Sequence, residues 1–347
     1  KKWLEDISDC QSIGNGHVQH TAPFMGGGGG PAGWGGAIAV VPYEMYKIYG
    51  DKETFRRYLP KILRYFDYLD SRSSGGLVCR EEEGGWCLGD WCPPEQITIC
   101  EPFVNTALYV KQMMMTKEAS EAIGESETAA MLEKRIEEKK QAILNAYYSP
   151  QTGSFIGDAQ GSNSFAVDIG LGGERAFNNT KKKYDAADAF DTGIFGTDIL
   201  TRVLFERGCA DTAFRLLTST GKGSFYNMKK QGATTIWENW DGERSHSHPM
   251  FGAVTRYLFS FILGITQEKN SAGYEKIVIA PQIPDGLNRA SGHITTVRGE
   301  IAVSFVRTER EMDFYVTVPQ KAWFTYGSDC EYELWEGENH IHIDFEE

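Results

Sequence analysis

Residues 38–69 read IAVVPYEMYKIYGDKETFRRYLPKILRYFDYL. In the first half, apolar residues run from 38 to 49 with Tyr43, Tyr46 and Tyr49 three apart, the recurrence of one helix face. Gly50 breaks that run, and Asp51 stands where its carboxylate can accept from the free N–H groups of a second helix running to about residue 69. Two helices joined by so short a turn make an antiparallel hairpin.

The unit recurs outward from this segment. Residues 102 to about 123 and 127 to about 148 predict a second pair, whose later member carries Glu133, Lys134, Arg135, Glu137, Glu138, Lys139 and Lys140 as a solvated face. Residues 196–217 read as two helices broken at Gly208, and a last helix runs from about 249 to 263. A short helix opens the chain. The long connections are 14–37, with the glycine run 26–30; 72–100, with Trp86 and Trp91; and 149–195, rich in Gly, Asn and Asp. Short links on one side and long Gly-, Trp- and carboxylate-rich links on the other form the pattern of an α/α toroid whose loops gather at one end. Beyond Gly264 the period changes to two, with strands at 276–280, 300–305, 313–318 and 340–345. The expected architecture is mainly α: an (α/α)6-type toroid over residues 1–267, then a small antiparallel β-sandwich domain over 268–347.

Composition narrows the partners. The net charge of −13 is spread without a basic stripe, which argues against nucleic acid and anionic membrane surfaces. No apolar run is long enough to span a bilayer. The chain opens on Lys1-Lys2-Trp3 rather than Met, so its start carries no targeting information and no compartment is assigned. Seven cysteines at irregular spacing, without a C-x-x-C pair, read as free thiols rather than as a disulfide framework or a zinc site. The glycine run lacks the lysine and hydroxyl of a nucleotide-binding loop. No metal and no cofactor is expected.

Chemistry concentrates in GATTIWENW, residues 232–240, where Glu238 is bracketed by Trp237 and Trp240. Indole faces beside a carboxylate suit the apolar side of a sugar ring, although the same pattern fits a packed strand with a surface glutamate. If the stretch is extended, Glu238 and Trp240 share one face. Donors within reach would keep Glu238 charged, and Asn239, Arg244 and His248 are the candidates. His248, before Pro249, would open the next helix. Trp34, in GWGG at 33–36, and Asp90 with Trp91, in GDW at 89–91, supply more rings and acids from other loops. For each tryptophan, core packing is the competing reading.

At these residues the chain resembles the α-L-rhamnosidases of glycoside hydrolase family 78. Residues 232–240 resemble the family's G-A-T-T-x-W-E-x-W signature, which implies that Glu238 is the general base of an inverting mechanism. Residues 247–252, SHPMFG, resemble N-H-x-x-F-G, with Ser247 in place of Asn, and imply that His248 contacts the sugar. Trp34 and Trp91 match the tryptophans of G-W-G-D-A and G-D-W, with Gly36 in place of the first element's Asp. Residues 191–196, DTGIFG, resemble a T-G-x-x-G element, and similarity extends through GYEKI at 273–277 and IAP at 279–281. The resemblance therefore implies a carbohydrate substrate with terminal rhamnose, bound by Trp34, Asp90, Trp91, Trp237, Trp240 and His248.

An inverting pair stands roughly 6.5–9.5 Å apart, one carboxyl protonating the leaving oxygen and the other activating water. In the family the acid lies in a G-W-x-G-D-type segment upstream of the region matched here, and no such segment is present in this sequence. The chain alone is therefore expected to be weakly active or inactive, with its toroid incomplete at the N-terminal side and open either to upstream domains or to self-association. A toroid glycosidase acting on another sugar, and a non-catalytic carbohydrate-binding remnant, are the alternatives.

Overall fold

A computed structural model describes residues 1–23, 29–80, 82, 87–327 and 330–345. Residues 26–28 of the glycine run and Trp86 lie outside them. Helix α1 spans Lys2–Asp9, and α2 (Ala37–Tyr49) and α3 (Lys52–Ser71) form the hairpin read from residues 38–69. Gly50 ends α2 at φ 68°, where a side chain would be strained, and its N–H returns to Tyr46 O at 2.8 Å. The Asp51 carboxylate accepts from Thr54 N at 2.9 Å, so the helix cap falls where the sequence places it.

Next come α4 (Glu101–Ala122) and α5 (Ser126–Tyr147). Helix α4 is buried on most of its circumference, including Phe103, Val104, Tyr109, Val110 and Met113. Helix α5 buries only Ala129, Leu132, Ile136, Lys139 and Ile143, a single stripe at helical spacing. That difference sorts them into an inner and an outer layer. Helices α6 (Ser162–Asp168) and α7 (Gly173–Asp185) make a further hairpin, as do α8 (Ile194–Glu206) and α9 (Ala210–Leu217). Inner helices α2, α4, α6 and α8 pack in succession, and α8 packs on a 3-10 run over Pro249–Thr255. The Asp168 carboxylate ties three of them together, meeting Lys111 of α4 at 2.8 Å and Arg202 of α8 at 2.7 Å.

Two parts of the helical reading change. Residues 149–195 hold a helical hairpin rather than an unbroken loop. Its helices escape the periodicity test because α6 buries Ser162, Asn163 and Ser164, and α7 carries only Ala176, Phe177, Thr180 and Tyr184 inward on an otherwise polar sequence. Residues 249–263 are not one helix but the 3-10 run followed by a π-type turn over Leu258–Ile262. The short helix α10 (Phe225–Lys230), capped by the Ser224 hydroxyl, precedes the Glu238 segment.

Short hairpins close two loops: β1 (Ser73–Ser74) with β2 (Leu77–Val78), and β3 (Tyr148–Ser149) with β4 (Ser154–Phe155). The C-terminal strands are β5 (Ile265–Gln267), β6 (Ile277–Ile279), β7 (Arg289–Thr296), β8 (Gly299–Arg307), β9 (Glu311–Val318), β10 (Ala322–Tyr326), β11 (Cys330–Leu334) and β12 (Gly337–Asp344). They form two four-stranded sheets, ordered β11-β10-β6-β5 and β12-β9-β8-β7, antiparallel except for the β10/β6 pair. Ile301, Val303, Phe305, Phe314, Val316 and Phe324 fill the space between them. The short strands β5, β10 and β11 and the Gly-containing β7 were not evident as alternation. The β-domain is tied to the first hairpin by Lys47, whose ammonium donates to Lys269 O and Ser271 O at 2.9 Å and whose carbonyl accepts from Gly273 N at 2.8 Å. Among the described residues, no helix is long and apolar enough to cross a membrane.

Candidate active site

Glu238 lies in a turn-rich segment between α10 and the 3-10 run, not in a strand. A two-way backbone tie shapes it. Glu238 N donates to Ser245 O at 2.8 Å, His248 N donates to Ile236 O at 2.8 Å, and the Thr235 hydroxyl donates to His246 O. The carboxylate is half-buried, and each oxygen accepts one hydrogen bond: Oε1 from Trp91 Nε1 at 3.3 Å and Oε2 from Ser245 N at 3.3 Å. Among the described residues these are its donors, in place of the expected Asn239, Arg244 and His248. The Asn239 side-chain Oδ1 instead accepts from the Cys92 thiol at 3.4 Å. Arg244 lies over the Trp91 ring, 4.9 Å from its centroid, and so brings positive charge to the same wall.

The placement of Trp91 is set 100 residues further along the chain. Asp90 is 1% exposed, and its carboxylate caps the start of α8, accepting from Gly193 N at 2.7 Å and Gly196 N at 2.8 Å. Ile194 N donates to Trp91 O at 2.8 Å. Gly193 and Gly196 are required by proximity. A Cβ at 193 would lie 2.3 Å from Trp91 O, and one at 196 would lie 2.4 Å from Asp90 Oδ2. Asp90, expected as a sugar contact, is therefore turned inward in this structure and orients its neighbour Trp91.

Burial pushes the Asp90 carboxyl up to about 7, outweighing the backbone N–H groups of Gly196, Gly193 and Phe195 that draw it down. Its folded pKa lies above that of the unfolded chain, so the stability it contributes is fully present below the ordinary carboxyl range and is lost as pH rises through about 7. Asp90→Asn removes that titration at the cost of one cap hydrogen bond. The melting-temperature gap between wild type and Asp90→Asn is expected to narrow by several degrees between pH 4 and 8, as read by differential scanning fluorimetry; a constant gap contradicts the assignment.

The tryptophans divide. Trp240 is 1% exposed, packed on Phe251 (centroids 4.2 Å apart), Phe225 and Phe190, with Nε1 donating to Thr192 O at 3.2 Å. Trp237 is buried against Gly242 and stacked on His246 at 4.4 Å. Both expected wall residues thus hold the segment from behind, and Glu238 and Trp240 do not share one open face. Trp34 is half-buried on the 3-10 turn Gly33–Gly36 and packs on Phe195, centroids 4.9 Å apart. These two rings line a cavity of about 610 Å³ that continues between the inner helices past Ala37, Gln112, Ile194 and Met250. Gly36 leaves room for the Gln112 amide, which lies 2.1 Å from the position of a Cβ there. His248 is half-buried at the start of the 3-10 run, and its Nδ1 is buried without a hydrogen-bond partner among the described residues.

Ser245, Phe195, Gln112 and Cys92 belong to this site and were missed because their own segments carry no recognisable pattern. Burial first, then the Glu238 charge, pushes the Cys92 thiol up to about 12, so it remains a neutral donor. Under native conditions Cys79, which is exposed, is expected to alkylate with iodoacetamide at least about tenfold faster than Cys92. Peptide mapping by mass spectrometry checks this, and equal rates would contradict the closed geometry.

Residues 1–262 match the family model described as bacterial alpha-L-rhamnosidase 6 hairpin glycosidase domain, and residues 264–324 match that of the bacterial alpha-L-rhamnosidase C-terminal domain. An alpha-L-rhamnosidase of Streptomyces avermitilis is 29% identical over 318 residues, covering 87% of this chain and 29% of that protein. One from Alteromonas sp. (strain LOR) is 26% identical over 318 residues, covering 83% and 33%. The chain thus spans about a third of the length of these curated relatives. Among solved structures, the Streptomyces avermitilis enzyme complexed with L-rhamnose superposes with a TM-score of 0.85 at 24% identity, over 99% of this chain and 36% of that one. The native enzyme from Aspergillus terreus gives 0.88 at 20% identity, over 98% and 42%. At these identities the superpositions establish the fold.

Proposed function

The chain belongs to the bacterial α-L-rhamnosidase six-hairpin glycosidase family, and on that premise we propose that it carries the water-activating half of an inverting glycoside hydrolase site for terminal α-L-rhamnose. The observation that carries the reading is Glu238, half-buried with both oxygens hydrogen-bonded, beside an indole and a guanidinium. Two hydrogen bonds, one to each oxygen, fix the orientation of the carboxylate. In the proposed reaction Glu238 takes a proton from water as the water oxygen bonds to the anomeric carbon, on the face opposite the leaving group. The bond to the aglycone oxygen breaks, and that oxygen receives a proton from a second carboxylic acid. Asp90 is poorly placed for that second role, because both its oxygens cap α8. Trp34 and Phe195 offer apolar rings to the sugar, and His248 Nδ1, without a partner among the described residues, offers a hydrogen-bonding site.

The test is release of nitrophenol from para-nitrophenyl α-L-rhamnoside by this chain and by an upstream-extended polypeptide, with proton NMR of the sugar formed. The expected first product is the inverted β anomer, with greater activity in the extended form. Retention of configuration, or turnover of another nitrophenyl glycoside in preference, overturns the reading. Rhamnose binding without turnover in either form favours a carbohydrate-binding role.

A further inference from the structure

The solvent-facing side of the sheet β12-β9-β8-β7 carries a cluster unconnected with the glycosidase site. Side chains alternate across a strand, so Glu311, Asp313 and Tyr315 of β9 share a face, as do His340, His342 and Asp344 of β12. The ladder sets them opposite one another in three rungs: Tyr315 with His340, Asp313 with His342, and Glu311 with Asp344. The first rung is a stacked pair, its ring centroids 4.8 Å apart. The second is hydrogen-bonded, and Asp313 Oδ1 meets both His342 Nδ1 at 2.9 Å and His340 Nε2 at 2.7 Å. The third sets two carboxylates face to face, an arrangement that destabilises an antiparallel ladder unless positive charge lies between them. Among the described residues neither carboxylate is ion-paired with Lys or Arg; the imidazole of His342 is the cationic partner available, its Nε2 lying 3.2 Å from Asp344 Oδ1.

The His342 ring stands between carboxylates, Nδ1 2.9 Å from Asp313 Oδ1 and Nε2 3.2 Å from Asp344 Oδ1, with Glu311 across the ladder from Asp344. We propose that Glu311, His342 and Asp344 form a binding site for a divalent transition-metal ion of the Zn²⁺ class, clipping edge strand β12 to β9. The candidate donor atoms lie within 4.8 Å of one another. Bonds of about 2.0–2.2 Å would bring ligand atoms to about 3.4 Å apart in a tetrahedron, a contraction that solvent-facing side chains can make without moving the strands. Asp313 supplies the outer carboxylate that fixes the tautomer of a ligating histidine, and His340 anchors it from the other side. One imidazole with two carboxylates selects Zn²⁺, Ni²⁺ or Cu²⁺ over Mg²⁺ and Ca²⁺, which favour all-oxygen shells. The inference stands apart from the rhamnosidase reading, since no residue is shared.

The experiment is calorimetric titration of the chelator-treated chain with ZnCl₂, with proton–nitrogen NMR of the histidine rings. The expected result is one saturable Zn²⁺ per chain, unaffected by excess Mg²⁺, with the His342 Nε2 resonance shifted. His342→Ala and Asp344→Asn are each expected to weaken that binding by more than about 100-fold, and Asp313→Asn by about 10–100-fold. His293→Gln, on β7 at the opposite edge of the sheet from β12, is expected to leave it unchanged. Absence of saturable binding, or binding that survives His342→Ala with the ring resonance unmoved, overturns the proposal.

Discussion

Glu238→Gln is expected to lower kcat/KM on para-nitrophenyl α-L-rhamnoside by about 10²–10⁴-fold, the contribution of a positioned general base. The substitution keeps the shape of the side chain but removes its capacity to take a proton from water. It also sets an amide NH₂ toward one of the two donors, Trp91 Nε1 or Ser245 N, that the carboxylate satisfies. Because Glu238 is only half-buried, the melting temperature is expected to move little. Nitrophenolate leaves as a stable anion and makes small demand on an acid, so this substrate isolates the base even where protonation of the leaving group is weak. Added azide, a nucleophile that needs no deprotonation, is expected to restore turnover in the variant and yield β-rhamnosyl azide. Undiminished hydrolysis by Glu238→Gln, in a polypeptide that is active as wild type, would remove Glu238 from the base role.

Gly193→Ala is expected to do comparable damage from a position that touches no substrate. Gly193 has φ −84°, which alanine adopts freely, so backbone strain is not the cause. The added methyl would lie 2.3 Å from Trp91 O, 2.5 Å from Asp90 O and 2.7 Å from Asp90 C, and these backbone atoms have no rotamer by which to withdraw. Relief requires the 89–92 loop to lift from α8. That movement breaks the two Asp90 cap bonds and the Ile194 N to Trp91 O bond and leaves buried groups unpaired. Overpacking and lost pairing together are expected to cost on the order of 3 kcal/mol. Displacing Trp91 by about 1 Å from Glu238 should lower kcat/KM about 10²-fold. Gly14→Ala, at a site where the nearest atom would be Ser12 Oγ at 3.7 Å, serves as control and should stay within about 0.5 kcal/mol. Urea denaturation and rhamnoside kinetics on both variants give the two readouts. A Gly193→Ala protein with wild-type stability and rate would show that the loop is not locked to α8.

Residues 38–69, the charged stripe of α5 and the alternation in β8, β9 and β12 determined the class of the protein from sequence alone. Their apolar spacing leaves one way to bury each element, against a neighbour of the same kind. Glu238 was legible as well, because a carboxylate between two indoles in a non-helical stretch is an uncommon local pattern. The duties of the surrounding residues were decided only in three dimensions. Trp240 and Trp237 look equivalent to Trp34 and Trp91 in one dimension, yet aromatic packing behind the loop buries the first pair while the second reaches the cavity and the carboxylate. Asp90 reads as a ligand contact until the start of α8 supplies two N–H groups that satisfy it. Glu238 draws one of its donors from 147 residues away. Hydrophobic periodicity records which face of an element is buried. The partner of a single polar atom depends on how whole layers dock, and no local spacing encodes that.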